Sequence, residues 1–300
     1  MDPNLTHNFF NGKHVVVFGA GYVGSALADV AMTAGAHVTT LTRNSATCEL
    51  LKSRGFQVVC ANLETDDWHR RIGCPDLVLN SVSSGRLGVE GYRSSYVGGA
   101  RSINEWGRQF EAECPPLVYT SSTSVYPQGE GKCVDEGMPI AGQDEKSALL
   151  IEAEQTAFAW PGITTVLRLA GIYGPSRHYL LDQIRVSPAE LPGRPDQILN
   201  LIHRQDILAA IIAVWQCADL GVESVFNVVD DGAATRVEVA TWMADRLKVH
   251  VPAFSGTAMP GRRTNRPNRV ISNAKLKSEL GWCPEYPSFR EGYKSILLGA

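Results

Sequence analysis

The sequence predicts an α/β fold: a doubly wound parallel sheet of the Rossmann kind, followed by a smaller C-terminal substrate cap. Three observations carry this. Short apolar runs alternate with helical patterns from Val15 to Val229, the pattern of a parallel sheet wound with right-handed crossovers. The first run passes directly into a glycine motif and then a helix. Beyond residue 174 the alternation lapses, with prolines at 175, 188, 192 and 195.

Val15-Val16-Val17-Phe18 is a strand fit for burial on both faces. Gly19-Ala20-Gly21-Tyr22-Val23-Gly24 follows as G-x-G-x-x-G, and Ser25–Ala34 reads as a helix stopped by Gly35. That order is the context of a dinucleotide site. Gly19 permits the tight turn, Gly21 lets a pyrophosphate approach the backbone, and Gly24 lets the helix lie close to the strand. Tyr22 and Val23 complete the approach to the helix N-terminus, which attracts phosphates.

The remaining elements follow in order. His37–Leu41 is a second strand, Cys48–Arg54 a helix ended by Gly55, Phe56–Cys60 a third strand and Leu77–Asn80 a fourth, with Ser81 at its end. Tyr92–Phe110 has helical spacing, Leu117–Thr120 is a fifth strand, Ala148–Phe158 a helix and Thr164–Leu169 a sixth strand. Gly174–Pro195 reads as a loop region over the strand ends. Asp206–Cys217 is a helix and Val225–Val229 a late strand. Thr235 and Glu238 form a capping box for a helix to Leu247, and Asn273–Leu280 is a helix stopped by Gly281. The predicted domains are 13–175, with the return segment 200–230 packing on it, and 176–300 as mostly cap.

Composition narrows the function classes. The chain has 300 residues, 44% hydrophobic and 20% charged, with net charge −3, an ordinary globular composition. No long basic run argues for nucleic acid, and no apolar stretch reaches the ~18 residues of a membrane span. The first eleven residues lack the basic and apolar regions of a signal peptide. Seven scattered cysteines form no C-x-x-C pair, so neither a disulfide framework nor a metal site is expected, and a reducing cytoplasm suits them.

Further motifs carry a resemblance. Ser121-Ser122-Thr123-Ser124-Val125-Tyr126, Leu167 to Pro175 (LRLAGIYGP), Ile202-His203-Arg204-Gln205-Asp206 and Phe226-Asn227-Val228 occur in sequence order. Together they resemble the extended short-chain dehydrogenase/reductase family, the nucleotide-sugar epimerases and dehydratases, from about residue 13 to 297. With its GxGxxG loop and its ending in Arg269 to Asn273 and Gly281 to Pro284, the chain is similar to the atypical branch. These motifs specify fold and superfamily, not substrate.

The resemblance implies a nicotinamide cofactor. The second strand ends in Thr42-Arg43 with no acid before Glu49. An acid there would accept from the ribose of NAD, whereas Arg43 is suited to a 2′-phosphate. NADP is therefore expected over NAD, with Arg43 otherwise a solvated loop charge. Asn62-Leu63 stands where the family has Asp-Leu beside the adenine, and Ser81 joins them as a cofactor residue.

The family mechanism uses a Tyr, a Lys four residues later and a Ser. Ser122 matches the Ser, although a serine also caps strand ends. Counting back from Glu154 puts Leu150 at the Lys position and Lys146 at the Tyr position, and no tyrosine lies between Tyr126 and Tyr173. The standard pair is thus expected to be missing. Tyr126, Tyr173 and Tyr179 are the phenols near strand ends that could replace it. Tyr126 and Tyr173 stand with Ser122 as catalytic candidates, although both are packing residues in their motifs. Arg177, His178 and arginines 262, 263, 266 and 269 could meet an anionic substrate, or form a solvated charge run. His203 and Asp206 are expected to pack.

Two readings result. One is an oxidoreductase, epimerase or dehydratase acting on a sugar-nucleotide-like or small carbonyl or hydroxyl substrate. The other is a non-catalytic NADP(H)-binding redox sensor or regulatory protein. Neither nucleic acid nor membrane is an expected partner, and a homodimer is left open.

Overall fold

The computed structural model describes residues 3–85, 88–217, 223–257 and 267–299. Its centre is a seven-stranded sheet. The strands are β1 (His14–Phe18), β2 (His37–Thr42), β3 (Gln57–Cys60), β4 (Leu77–Asn80), β5 (Leu117–Ser122), β6 (Thr164–Leu169) and β7 (Ser224–Val228). Their order is β7-β6-β5-β4-β1-β2-β3. The reversal at β1 is the doubly wound topology, which leaves a crevice at the carboxyl ends of the strands. β1 pairs in parallel with β2 and β4, β2 with β3, and β4 with β5. Val15 to Phe18 are all buried, as a strand covered on both faces requires.

The helices are α1 (Pro3–Phe10), α2 (Gly24–Thr33), α3 (Ser45–Ser53), α4 (Gly88–Tyr92), α5 (Gly99–Gly107), α6 (Glu145–Ala157), α7 (Tyr179–Arg185), α8 (Arg204–Gln216), α9 (Arg236–Leu247), α10 (Ala274–Leu280) and α11 (Phe289–Leu298). Sequence chemistry sets several of their ends. The Asn44 side chain accepts from the Thr47 amide at the start of α3, and Asp144 with Ser147 boxes the start of α6. Thr235 and Glu238 box α9 as the spacing predicts.

The described chain falls into two compact units. The first comprises Met1–Val125, Ile140–Arg168 and Leu208–Phe226, and the second Tyr126–Pro139, Leu169–Ile207 and Asn227–Ala300. In the first, Phe18 meets Trp68 and Trp106 edge-on at 5.1 and 5.3 Å between ring centroids, inside a cluster with Val16, Leu41, Ile103 and Trp160. In the second, Leu181 and Ile184 of α7 pack with Val239, Met243, Phe289 and Tyr293.

Several expectations are corrected. The sequence boundary near 175 differs because 126–139 groups with the second unit, where Lys132–Val134 pairs in parallel with Arg269–Ile271. The region expected to be a loop contains α7, which its buried i, i+3 pair Leu181 and Ile184 stabilises. The helical stretch from Tyr92 to Phe110 is not one helix. It passes from α4 through a π-helical segment, Arg93–Gly98, into α5 and then a 3-10 turn. The cysteines are not all free: Cys48 and Cys60 form a disulfide, because the β2–β3 ladder brings the start of α3 beside the end of β3. Among the described residues, no helix is long and apolar enough to cross a membrane, and no group of three His, Cys, Asp or Glu could hold a metal ion.

Candidate functional site

A cleft of about 300 Å³ opens at the carboxyl ends of β1 to β4. Its floor is the glycine turn. Gly19 has φ +85°, and a Cβ there would come within 2.6 Å of the Val82 backbone, so both conformation and space demand glycine. A Cβ on Gly24 would lie 2.3 Å from the Gly19 carbonyl oxygen and 2.6 Å from Ser81 Oγ. Gly21 is different: nothing lies within 4 Å of where its Cβ would be, and it lines the cleft. Ser81 also lines the cleft and donates to the Gly19 carbonyl at 2.9 Å, tying the end of β4 to the turn. Tyr22 and Val23 do not line it. Val23 is buried at the start of α2, and its side chain makes no cap bond.

The far wall comes from β2 and β3. Arg43 is exposed, and its Nη2 donates to the Ser84 carbonyl at 3.3 Å. Among the described residues lining the cleft it is the sole charged side chain. Asn62 Oδ1 accepts from the Glu64 amide at 3.0 Å, which leaves the amide nitrogen of its side chain without a partner among the described residues. Leu63, buried, completes this wall.

Sequence reasoning missed Ser95. It lies in the π-helical segment, is 7% exposed, lines the cleft, and its Oγ has no hydrogen-bond partner among the described residues. Nothing in the local sequence marks it. The neighbouring Ser94 donates to Glu64 at 2.5 Å, and burial pushes the Tyr96 phenol up. A buried hydroxyl without a partner, an open glycine backbone and one guanidinium fit a large polar anion such as a dinucleotide.

Ser122 ends β5, half-buried, with its Oγ 2.6 Å from Ser124 Oγ. Tyr126, read as a possible proton donor, is fully buried in the second unit and donates to Asn227 Oδ1 at 2.8 Å. Tyr173 is buried too. It stacks on Tyr293 at 4.7 Å and donates to the Ser288 carbonyl, and burial pushes its hydroxyl far above the usual phenol range. Both are packing residues in this structure. Lys146 lies over the Tyr92 ring, 5.6 Å from its centroid, and Leu150 is buried.

Of the arginine run, 262, 263 and 266 lie outside the described residues. Arg269 is buried and donates to the Gln128 carbonyl, so it is structural rather than free for substrate. His203 and Asp206 are buried, as is Asp230, which the sequence reading did not single out. Desolvation and Arg204 bring His203 down to about 4. Burial pushes Asp206 up to about 6, against amide donors from Glu285 and Tyr286, and Asp230 up to about 8.

The family model described as "NAD dependent epimerase/dehydratase family" matches residues 15–228. No curated protein matches significantly. Among solved structures, a functionally unknown conserved protein from Silicibacter pomeroyi DSS superposes with TM-score 0.79 at 24% identity, over 96% of this chain and 99% of that one. An inferred NAD-dependent epimerase/dehydratase from Methylobacillus flagellatus gives TM-score 0.75 at 27% identity, over 96% and 98%. UDP-glucuronic acid 4-epimerase from Bacillus cereus, solved with UDP-glucuronic acid and NAD, gives 0.80 at 16%, over 96% and 100%.

Proposed function

The chain belongs to the NAD dependent epimerase/dehydratase family, and on that premise we propose that it is an NADP(H)-binding oxidoreductase of the epimerase/dehydratase kind. Its substrate is a sugar-nucleotide-like or small carbonyl or hydroxyl compound. The observation that carries this reading is the cleft over the glycine turn, with Gly21 open, no acid among its described lining residues and Arg43 on its wall. When bound, the nicotinamide supplies hydride transfer. The Gly21 backbone receives the pyrophosphate, the Asn62 amide nitrogen donates to the adenine, and Arg43 holds a 2′-phosphate. The solved epimerase was crystallised with NAD. The absence of an acid from the described lining here supports NADP instead. Ser122 donates to the substrate carbonyl as charge develops on it.

The standard Tyr–Lys pair is missing from this reading, because Leu150 is buried at the Lys position and Lys146 stands at the Tyr position. General acid–base help is worth roughly 10²- to 10⁴-fold, so turnover on ordinary sugar nucleotides is slow. The buried, bonded hydroxyls of Tyr126 and Tyr173 favour a second reading, a non-catalytic NADP(H)-binding regulator.

Calorimetry with NADP⁺ and NAD⁺ tests the cofactor: NADP⁺ binds more tightly, and Arg43→Asp reverses the order. Equal affinities in the unmutated protein would remove Arg43 from the argument. NADPH oxidation with product analysis over UDP-sugars and small carbonyl compounds separates the two readings. Slow turnover that falls on Ser122→Ala supports the enzyme, and none over the whole panel supports the regulator.

A further inference from the structure

Resting on the reading of the cleft as a nucleotide site, we infer that the Cys48–Cys60 disulfide is a thiol–disulfide exchange site for a dithiol, and that its state sets how tightly the cleft holds its nucleotide. Three observations place the bond there. Cys60 is the last residue of β3, which is the edge strand of the sheet, and it is exposed. Cys48 is buried in the first turn of α3, twelve residues away in sequence. Both half-cystines adjoin cleft residues: Asn44 and Thr47 stand before Cys48, and Ala61 and Asn62 follow Cys60.

The bond therefore joins the two segments that make the cleft's far wall. Apart from it, hydrogen bonds hold these segments together. Thr42 faces Cys60 in the β2–β3 ladder, the Ala61 amide donates to the Thr42 carbonyl at 3.2 Å, and the start of α3 depends on the Asn44 cap at 2.9 Å. Opening the disulfide removes the covalent tie between the start of α3 and the end of β3, so Asn44 and Thr47 are held less tightly against Ala61 and Asn62. A site whose walls have lost a cross-link must be ordered by the ligand itself, which costs affinity.

The exchange balances. A thiolate of the dithiol attacks Cys60 Sγ at the exposed edge and displaces the Cys48 thiolate. The second thiol of the dithiol then attacks the mixed disulfide and releases the Cys60 thiolate. Two electrons pass to the Cys48–Cys60 bond, the dithiol leaves as its own disulfide, and its two protons go to the freed cysteines. Oxidation is the same sequence reversed. A merely stabilising disulfide would raise resistance to unfolding and leave nucleotide affinity unchanged.

Because the coupling is reciprocal, the factor by which reduction weakens nucleotide binding is the factor by which nucleotide favours the oxidised bond. We expect about tenfold, within the usual range for coupled sites. That corresponds to about 30 mV for a two-electron couple, toward more negative potential with nucleotide bound.

The test equilibrates the full chain in oxidised and reduced dithiothreitol. Alkylation and peptide mapping follow the Cys48–Cys60 pair, with Cys74, Cys114, Cys133, Cys217 and Cys283, which are free, as internal controls. NADP⁺ and NAD⁺ are titrated into both forms, and into Cys60→Ser and Cys48→Ala. The expected result is tenfold weaker binding in the reduced protein and in both variants, with the variants blind to dithiothreitol. The midpoint potential measured with and without nucleotide should move by the matching amount. Equal affinity in both redox states, or no Cys48–Cys60 pair under oxidising conditions, overturns the inference alone. Failure of both nucleotides to bind in either state overturns the nucleotide reading of the cleft, and the inference with it.

Discussion

Each unit buries carboxyl groups, and the two treat them differently. In the first, Glu154 of α6 meets Arg168 of β6 at 2.7 Å, with both side chains no more than 6% exposed, and accepts a further hydrogen bond from the Ser121 hydroxyl at 2.5 Å. In the second, Asp206 is held by two backbone amides. Asp230 accepts one amide, from Gly232, and its Oδ2 has no partner among the described residues. Among the described residues neither carboxyl has an ion pair. One unit neutralises a buried carboxylate with a fixed cation, whereas in the other burial raises the pKa of its acids. The first arrangement fixes geometry beside β5, which ends in Ser122, and the second makes its unit sensitive to pH.

The largest effect expected is on the paired side of this contrast. Arg168→Met leaves the Glu154 carboxylate buried with only the Ser121 hydroxyl, and should cost about 3–5 kcal/mol, read from urea unfolding. A loss under about 1 kcal/mol would mean that the pair is not what holds this carboxylate, and the contrast would fail.

An effect smaller at each pH unit, but spread over several, is expected on the other side. Asp230 titrates near 8 in the folded chain against an ordinary value of 3.8, so between these values the folded state holds a proton that the unfolded state has lost. Stability therefore falls as pH rises from about 4 to about 8, by up to about 1.4 kcal/mol per unit. Asp206, pushed up to about 6, adds the same sign between about 4 and 6. His203, pushed down to about 4, acts oppositely: it stays neutral when folded while the unfolded chain takes a proton, so it removes stability as pH falls from 6.5 to 4. Asp230→Asn isolates one term. Its unfolding free energy should lose the decline between pH 6 and 8, and an unchanged slope would show that Asp230 ionises freely in the fold.

The smallest effect sharpens the neutral case. Tyr126→Phe removes the donor to Asn227 Oδ1 and should cost about 1–3 kcal/mol, without the pH slope of the Asp230 variant. A pH-dependent loss would bring Tyr126 into the titrating set.

How much of this was legible in the sequence depends on how local each cause is. The glycine turn was legible because its constraints act within six residues: Gly19 and Gly24 are needed where their own Cβ atoms would strike nearby backbone. The α9 capping box was legible for the same reason. The Cys48–Cys60 bond was not, because no spacing motif announces it and it depends on β3 lying beside β2. Tyr126 and Tyr173 were correctly located near strand ends, but their side-chain directions are set by Asn227, Ser288 and Tyr293, all remote in sequence. Arg269 read as one charge in a run, until strand pairing with Lys132–Val134 buried it. Asp230 carried no mark, since an isolated acid after a strand is ordinarily solvated.

The π-helical segment between α4 and α5 has a consequence for the helix as a whole. Each residue of an α-helix advances its face by about 100°, so one extra residue within a turn works as a phase shift between the two ends of the rod. Upstream of Arg93–Gly98 the helix keeps one angular setting, and downstream another. Ser95 lines the cleft from within that segment, and Ile103 and Trp106 of α5 join the apolar cluster around Phe18.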